Sequence, residues 1–392
     1  MRDGALRLPS FRRSRGLVGR QPLGAPLKIA VISHLKYPIR QPYLGGLEKH
    51  THLMTRLLIQ RGHEVTLFAS AGSDPALGPV AVCPPTGEAT GDPVGDAAID
   101  AAEEAAYAVI VEAIAGGDFD VVHNNCLHSL PLYRRAEMGL PMVTVLHTPP
   151  FEPFEDGVRD AAGDMTVLSV SRTLAAEWRD IVPDPIVVGN GIELSSFPFS
   201  PTPGPDGHAF WSGRIVPEKG LHLAIDAARR AGVKLEFAGP RKPGRYWSEE
   251  IAPRLGPDTI DLGHLAQPDL ARAIGRARAV LVTPRWEEPF GLVVAEAIAC
   301  GTPVAGFRRG ALSDILGPEA GRLAVPDDVE DLARALREAM MLDRAACRAR
   351  AEATVDAETM IDRYEAVYRS LVGGIGRRRE APRELVLDAL GQ

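Results

Sequence analysis

Short apolar runs alternate with amphipathic segments along the first half of the chain. The runs, which carry no helical period, cover residues 27–34, 63–70, 119–125, 141–148 and 165–171. Between the first two runs, residues 47–62 place apolar side chains at helical spacing and end at a glycine. Apolar runs of this length are typical of buried parallel strands. Their alternation with helices predicts a parallel sheet that is covered on both faces.

The same alternation resumes after a stretch rich in Pro and Gly at 196–207, which we interpret as a linker. The pattern therefore predicts an α/β fold of two doubly wound, Rossmann-like domains, at 27–195 and 208–356, with a cleft between them. We expect a last helix, 357–372, to cross back to the first domain. In such sheets ligands bind beyond the carboxyl ends of the strands, so polar residues at those ends are the candidates for function.

Composition narrows the class of protein. The 392 residues exceed what one hydrophobic core usually serves. The net charge of −7 argues against a nucleic-acid-binding protein, whose footprint would be basic. No apolar run approaches the ~18 residues of a spanning helix. The four cysteines are scattered without a CxxC pair, which favours reduced thiols in a cytoplasmic protein over disulfides or a zinc site.

The two ends differ from the rest of the chain. Residues 1–26 contain six arginines and a single acid, and they lack the apolar core of a signal peptide. A disordered tail is the simple interpretation, and a basic contact with an anionic membrane surface is the alternative. The tail at 373–392 contains three consecutive arginines and is interpreted in the same way.

A buried acid poses the sharpest question. Glu296 lies inside the almost wholly apolar segment 290–306, and Glu287 and Glu288 stand just before this segment. A carboxylate that is buried without a partner costs several kcal/mol or loses its charge. No Lys or Arg lies within four positions of Glu296. Its partner must therefore be another chain segment or the hydroxyls of a ligand, whereas Glu288 could simply cap the helix.

Two other groups suit a phosphate. Gly45 and Gly46 fall between the first strand and the first helix, where a missing Cβ lets the backbone approach an anion. The pair is equally typical of a plain turn, and no GxGxxG fingerprint occurs. Arg214 and Lys219 lie five apart on a strand-to-helix loop and could neutralise a diphosphate without a metal. Taken separately, each is typical of a solvated surface charge.

A histidine ends two of the predicted strands. His147 is expected to reach the cleft, although a strand-end histidine is commonly a structural polar group, as His123 is expected to be. The Asp-Phe-Asp at 118–120 matches a metal-binding pattern, but both acids precede their strand and are interpreted as surface charges. We therefore predict no metal site.

Six motifs, in this order and spacing, resemble the retaining, nucleotide-sugar-dependent family 4 glycosyltransferases of the GT-B fold. They are "GGLEKH", "RGHEVTLF", "VLHTPP", "VGNGIELSSF", "SGRIVPEKG" and "EEPFGLVVAEAIACGTPVAG", within residues 27–372. The segment "TPRWEEPFGL" resembles the corresponding segment of avilamycin-pathway-type transferases. The sequence departs from the family at Glu193, where Asp is usual, and at Asp314 in "GALSD", where the family has GGxxE. Both departures concern substrate details.

The resemblance implies a role for each candidate residue. It implies that Glu288 and the backbone amides of Phe290, Gly291 and Leu292 hold the donor sugar, and that Glu296 binds the ribose hydroxyls. It also implies that Arg214 and Lys219 bind the diphosphate opposite Gly45 and Gly46, with His147 beside the reacting sugar.

The expected activity is sugar transfer with retention, from a nucleoside-diphosphate sugar to an acceptor hydroxyl. We expect no metal and no cofactor besides the donor, with a mild preference for a UDP-sugar. The acceptor, which is a small molecule, a glycan or a lipid, would be selected by the loops 36–44 and 72–98. The alternatives are a nucleotide-sugar epimerase of the same fold and a non-catalytic sugar-nucleotide-binding protein.

Overall fold

The computed structural model of the protein describes residues 24–241 and 244–379, with side chains to residue 373. Residues 1–23 and 380–392, on which the two predicted tails largely fall, lie outside the described part. Within it the strands form two sheets, and every strand pair is parallel. This confirms the predicted pair of doubly wound domains.

The first sheet has seven strands in the order β3-β2-β1-β4-β5-β6-β7. Their bounds are β1 Lys28–Ile32, β2 Glu64–Ser70, β3 Val80–Cys83, β4 Val121–Asn124, β5 Met142–Leu146, β6 Thr166–Ser169 and β7 Ile186–Val187. The helices around it are α1 Gly46–Gln60, α2 Pro93–Ala115, α3 Leu130–Tyr133, α4 Arg135–Met138, α5 Phe154–Ala161 and α6 Arg172–Glu177. The strand order reverses between β1 and β4, so the crevice of this domain opens beyond their carboxyl ends.

The second sheet has six strands in the order β10-β9-β8-β11-β12-β13. They are β8 Ala209–Ser212, β9 Leu235–Ala238, β10 Thr259–Asp261, β11 Ala279–Val282, β12 Val304–Phe307 and β13 Gly321–Ala324. The helices are α7 Leu221–Ala231, α8 Gln267–Arg276, α9 Leu292–Ala299, α10 Leu312–Ile315, α11 Val329–Ala339 and α12 Arg344–Thr354. Here the strand order reverses between β8 and β11.

Two hydrophobic cores support the sheets. One is built around the first sheet and continues through α9 and α12 of the second domain. The other lies between the second sheet and helices α7 and α11. Because the first core runs across both domains, the carboxyl edges of the two sheets are held facing one another.

The last helix, α13 Ala357–Arg379, leaves the second domain and packs on the first. Tyr364 and Tyr368 of this helix are fully buried against α1 and β4. At the helix start, Ile192 N–H donates to Val355 O at 2.8 Å and Ala357 N–H donates to Ile192 O at 3.0 Å. The division into domains at 196–207 itself stays a prediction.

Several elements escape the sequence pattern. The strands β3, β7, β10 and β13, which lie at the edges of the two sheets, were not predicted, and each has four residues or fewer. Helix α2 is rich in alanine and begins with Asp92, whose side chain accepts from Gly95 N–H, followed by a proline. Its low amphipathicity hides it, because an alanine-rich helix has no sharply apolar face.

Candidate active site

A cavity of about 330 Å³ lies between the facing carboxyl edges of the two sheets. The first domain contributes the amino-terminal end of α1 and the residues after β5, and the second contributes the loops after β8 and β11. Nine of the ten predicted site residues line this cavity: Gly45, Gly46, His147, Arg214, Lys219, Glu288, Phe290, Gly291 and Leu292. The structure thus brings these residues together; their individual roles stay predictions.

The two glycines let neighbouring groups approach closely. A Cβ added to Gly45 would lie 2.8 Å from Glu48 Oε2, and one added to Gly46 would lie 3.3 Å from Leu292 Cδ1. Gly45 has an extended backbone, with φ of −148°. Its conformation therefore does not require glycine, and the space that it leaves is used by the carboxylate of Glu48. Gly46 lies where the two domains meet.

The cations of the second domain differ in their pairing. Lys219 Nζ lies 2.5 Å from Glu288 Oε2 and 5.2 Å from the centroid of the Trp286 ring. Arg214 Nη2 lies only within 4.0 Å of Glu218 Oε1, and its side chain is 38% exposed. Two predicted site residues, Lys219 and Glu288, are therefore an ion pair, whereas Arg214 is the more available donor for an anion.

Backbone packing fixes the loop that carries Glu288. Ala311 N–H donates to Glu288 O at 2.9 Å, and Gly310 N–H donates to Glu287 Oε2 at 2.5 Å. A Cβ on Gly310 would lie 2.2 Å from Glu288 O, so only glycine permits this contact. Gly291 then starts α9 with φ of +92°, a left-handed conformation that favours glycine. The amino-terminal end of α9 consequently borders the cavity, where its amides and dipole favour an anion.

His147 is held by a residue that the sequence analysis missed. Asn125 Oδ1 lies 2.9 Å from His147 Nε2 and 3.0 Å from His123 Nε2. An amide oxygen only accepts, so both rings must donate from Nε2 and keep Nδ1 as an acceptor. His123 Nδ1 in turn lies 2.6 Å from Tyr368 Oη. A buried chain of hydrogen bonds thus joins α13 to the histidine that lines the cavity.

The buried histidines are uncharged near neutral pH. Burial, and to a smaller extent the neighbouring His50 and His123, lower the pKa of His147 well below its usual range. Burial also lowers the pKa of His50 to about 3 and the pKa of His123 to about 4. His147 can therefore orient a hydroxyl, but its ring is not protonated to the imidazolium form at neutral pH.

Glu296 is the predicted site residue that does not line the cavity. Its Oε1 is paired with Nζ of Lys49 on α1, and the carboxylate is nearly buried. Lys49 Nζ also lies 5.1 Å from the centroid of the Phe197 ring. The partner that the sequence left open is thus a cation of the other domain. Of the two kinds of partner that the sequence leaves open, the structure contains another chain segment, and the ribose-binding role of Glu296 stays a prediction.

Two family models match consecutive parts of the chain. The model described as "Glycosyl transferases group 1" matches residues 196–354, and "Glycosyltransferase Family 4" matches residues 44–196. Together they cover both sides of the cavity. The chain is a glycosyltransferase of the GT-B fold. The two models support the family 4 resemblance drawn from the motifs.

Known proteins resemble this glycosyltransferase over most of its length. Glycogen synthase of Mycobacterium tuberculosis is 27% identical over 399 residues, covering 88% of this chain and 95% of that protein. The structure of Anabaena HepE in complex with UDP and glucose matches with a TM-score of 0.67 at 18% identity, covering 88% of this chain and 100% of that one. AviGT4, a glycosyltransferase involved in avilamycin A biosynthesis, matches with a TM-score of 0.63 at 22% identity, covering 89% and 99%. These structural likenesses establish the fold, and closer kinship with avilamycin-pathway enzymes stays a prediction.

The two departures from the family pattern have structural explanations outside the cavity. Asp314 Oδ2 accepts from Thr173 N–H at 3.1 Å, which ties the second domain to α6 of the first. Glu193 Oε1 lies 3.0 Å from Arg56 Nη2 of α1. Both acids of the glycosyltransferase therefore hold chain segments together in this structure.

The described part of the glycosyltransferase contains neither a candidate metal-binding cluster nor a helix able to span a membrane. Within residues 24–241 and 244–379, no cluster of three or more His, Cys, Asp or Glu side chains is placed to hold a metal ion. Asp118 pairs with the Lys28 side chain and Asp120 Oδ2 accepts from Lys28 N–H at 2.7 Å, before β4 begins. No helix in the described part is both long and apolar enough to cross a bilayer.

Proposed function

We propose that the protein transfers a sugar from a nucleoside-diphosphate sugar, with UDP the mildly preferred carrier, to an acceptor hydroxyl with retention of configuration. The observation that carries this proposal is the convergence of Arg214, the Lys219–Glu288 pair and the start of α9 on one interdomain cavity. The likeness to HepE, a protein whose structure contains UDP and glucose, supports the choice of donor.

The cations of the second domain would stabilise the leaving group. In the transition state the sugar resembles an oxocarbenium ion while the nucleoside diphosphate departs with negative charge. Arg214 and Lys219 would neutralise the diphosphate together with the amides at the start of α9, which is electrostatic stabilisation of developing charge. Glu288, already within 2.5 Å of Lys219 Nζ, would hold that cation in place and accept from hydroxyls of the donor sugar.

The cavity favours front-side attack over a covalent intermediate. Among the described residues that line it, Glu288 is the one carboxylate, and it is paired with Lys219. In the proposed step the acceptor oxygen bonds to the anomeric carbon on the face from which the phosphate oxygen leaves. The leaving phosphate oxygen takes the acceptor proton. His147, neutral and fixed by Asn125, would orient the donor sugar through its Nδ1 acceptor.

Closure of the two domains would exclude water and favour transfer over hydrolysis. We assign the hinge to the segment 196–207 and to the start of α13, where the chain crosses between domains.

The state of the cysteines favours a cytoplasmic location for the reaction. Cys83, Cys126, Cys300 and Cys347 are all free thiols, as is usual for proteins in a reducing compartment.

The test combines binding with turnover. Calorimetry with UDP, GDP, ADP and dTDP should identify one preferred nucleotide, and mass spectrometry with the corresponding donor and an acceptor panel should detect a glycoside. Proton NMR should show that the anomeric configuration of the donor is kept. Conversion of the donor with no acceptor present would instead indicate an epimerase. Tight binding without any turnover would indicate a sugar-nucleotide-binding protein.

A further inference from the structure

Trp286 lies beside the cation on which the proposed mechanism depends. It lines the interdomain cavity, and Nζ of Lys219 lies over its ring at 5.2 Å from the centroid. The same Nζ lies 2.5 Å from Glu288 Oε2. A cation within about 6 Å of an aromatic centroid is attracted by the quadrupole of the ring. The ammonium group is therefore held both by a carboxylate and by an aromatic face.

Backbone contacts fix the position of the ring relative to the cation. Arg285 N–H donates to Glu218 O at 2.8 Å, so the residue before Trp286 is bonded to the residue before Lys219. Thr283 Oγ1 also donates to Lys219 O at 2.9 Å. The loop after β8 and the loop after β11 are thus joined into one unit, which places the ring and the ammonium group side by side.

The ring can hold the ammonium group without neutralising it. The ion pair of Lys219 with Glu288 has no net charge to offer to a diphosphate. An aromatic ring, by contrast, attracts a cation through its quadrupole and leaves the net charge of the cation unchanged. When Glu288 accepts from hydroxyls of the donor sugar, as proposed above, the ring would keep Lys219 in place for the phosphate oxygens.

The polar edge of the indole is not used within the described residues. Trp286 Nε1 is buried and has no hydrogen-bond partner among them. The conservative replacement is therefore Phe, which keeps an aromatic face and loses only a donor that is unpaired here. Leu keeps the apolar character of the side chain but removes the attraction for the cation.

We propose that Trp286 is a positioning residue whose ring holds the ammonium group of Lys219 toward the diphosphate of the donor. The proposal rests on the proposed function, because it deepens the role which that function gives to Lys219. Trp286 acts through this cation rather than on the reacting atoms. Its loss would leave the charge of Lys219 present but poorly placed, and misplacement by about 1 Å can cost about 100-fold in rate.

UDP and uridine separate positioning from a structural role. Uridine lacks the phosphates, so a contact with Lys219 is available only to UDP. We expect Trp286→Leu to weaken UDP binding about five- to tenfold in calorimetry, and Trp286→Phe to keep most of the affinity. Uridine binding, measured by saturation-transfer NMR, should be the same in all three proteins. Equal losses for both ligands would show that the ring only supports the loop, and an unchanged UDP affinity in Trp286→Leu would show that the ring does not position the cation.

A double-mutant cycle with Lys219 supplies the second readout. If the ring acts through the cation, Trp286→Leu should lower kcat about tenfold in the wild type and scarcely at all in the Lys219→Ala background. Equal fold losses in the two backgrounds would overturn the proposal. A wild-type protein that fails to bind UDP, or a Lys219→Ala variant with normal UDP affinity and turnover, would instead be a failure of the proposed function, on which this proposal depends.

Discussion

Lys219 is the side chain on which departure of the diphosphate should depend most. Losing one preorganised donor to a developing oxyanion typically lowers kcat about 100- to 1000-fold. We expect Lys219→Ala to lose at least this much activity with little change in the urea midpoint, because the side chain borders a cavity and is 23% exposed. The exposed Lys234 of the same domain provides the control, since Lys234→Ala should retain full activity. Normal turnover by Lys219→Ala would remove this residue from the mechanism.

Asn125 acts through His147 and is therefore a positioning residue. Asn125→Leu would leave two buried imidazole donors unpaired, at a cost of about 1–3 kcal/mol each. Because His147 then loses its fixed tautomer, we expect kcat to fall about 10- to 100-fold, as for other misplaced groups. Stability alone would not separate this role from a purely structural one, so a conservative variant is needed.

Asn125→Asp provides that comparison. It keeps an acceptor within reach of His147 Nε2, so we expect it to restore much of the activity at alkaline pH. A carboxylate would favour the imidazolium and raise the pKa of His147. The activity of Asn125→Asp should therefore fall as the pH drops from 8 to 6, while that of the wild type stays nearly level. Parallel pH profiles would contradict the positioning role.

Sequence motifs identify functional residues by their positions along the chain. They do not identify partners that only folding brings together. Glu288 and Lys219 could be proposed because each lies in a motif. Asn125 could not, because its role comes from His147, which follows the neighbouring strand β5, and from His123 on β4. The partner of Glu296 was equally hidden, since Lys49 is 247 positions away and on the other domain. The only indication of this pair in the sequence is that no Lys or Arg lies within four positions of Glu296.

The docking of α13 depends on a glycine at the domain crossing. A Cβ on Gly191 would lie 2.4 Å from Ala357 Cα and 2.8 Å from Ala357 N, and both are backbone atoms that cannot rotate away. Overpacking of this kind typically costs 1–3 kcal/mol. We expect Gly191→Ala to lower the free energy of unfolding by at least about this much and to reduce hydrogen-exchange protection in α13. Gly163→Ala, where nothing lies within 4 Å, should be nearly neutral.

Helices α1 and α9 are joined by the Lys49–Glu296 pair. Lys49→Met would leave a nearly buried carboxylate alone, and breaking such a pair typically costs about 3–5 kcal/mol. Removing both charges with Lys49→Met and Glu296→Leu should recover most of that loss, which a double-mutant cycle of urea midpoints would measure. Additive losses would mean that the two side chains do not interact.

The same double variant tests the predicted ribose contact. If Glu296 binds the donor, the variant should be stable and yet bind UDP at least about tenfold more weakly. If the variant binds UDP with wild-type affinity, the role of Glu296 is limited to joining the two helices.

Strands could be predicted where they coincide with an apolar run, and helices where apolar residues recur at helical spacing. The strands β1, β2, β4, β5 and β6 appear as apolar runs, and α1 and α7 show apolar residues at helical spacing. The four edge strands and α2 were not recognised in this way. Edge strands of two to four residues are stabilised by the sheet that they join, so their own sequence carries little information.

At the scale of the whole molecule, alternation of strands and helices was enough to predict two doubly wound domains. It was also enough to place the candidate residues at carboxyl strand ends, because that edge is common to all strands of a parallel sheet. The alternation did not predict that the carboxyl edges of the two sheets face one another. It results from a hydrophobic core that continues from the first sheet into α9 and α12, and from α13 crossing back.

Buried histidines make the stability of the whole protein dependent on pH. His50 and His123 have pKa values lowered by burial to about 3 and about 4, and that of His147 is also well below its usual range. The folded state therefore stays unprotonated at these rings while the unfolded state takes up protons below about pH 6.5. Stability should be fully present above pH 6.5 and be lost as the pH falls. His50 and His123 each contribute about 1.4 kcal/mol of loss at pH 5.5.

A single substitution isolates this effect from the titration of carboxylates, which become protonated mainly below pH 5. His50→Phe keeps an aromatic ring at a position where Nδ1 has no partner in the described residues, and it removes one titrating group. We expect its urea midpoint to fall less than that of the wild type between pH 7.5 and pH 5.5. His264→Gln, which changes an exposed histidine, should follow the wild-type profile. Equal slopes for His50→Phe and the wild type would show that proton uptake by the unfolded chain at His50 does not limit stability in acid.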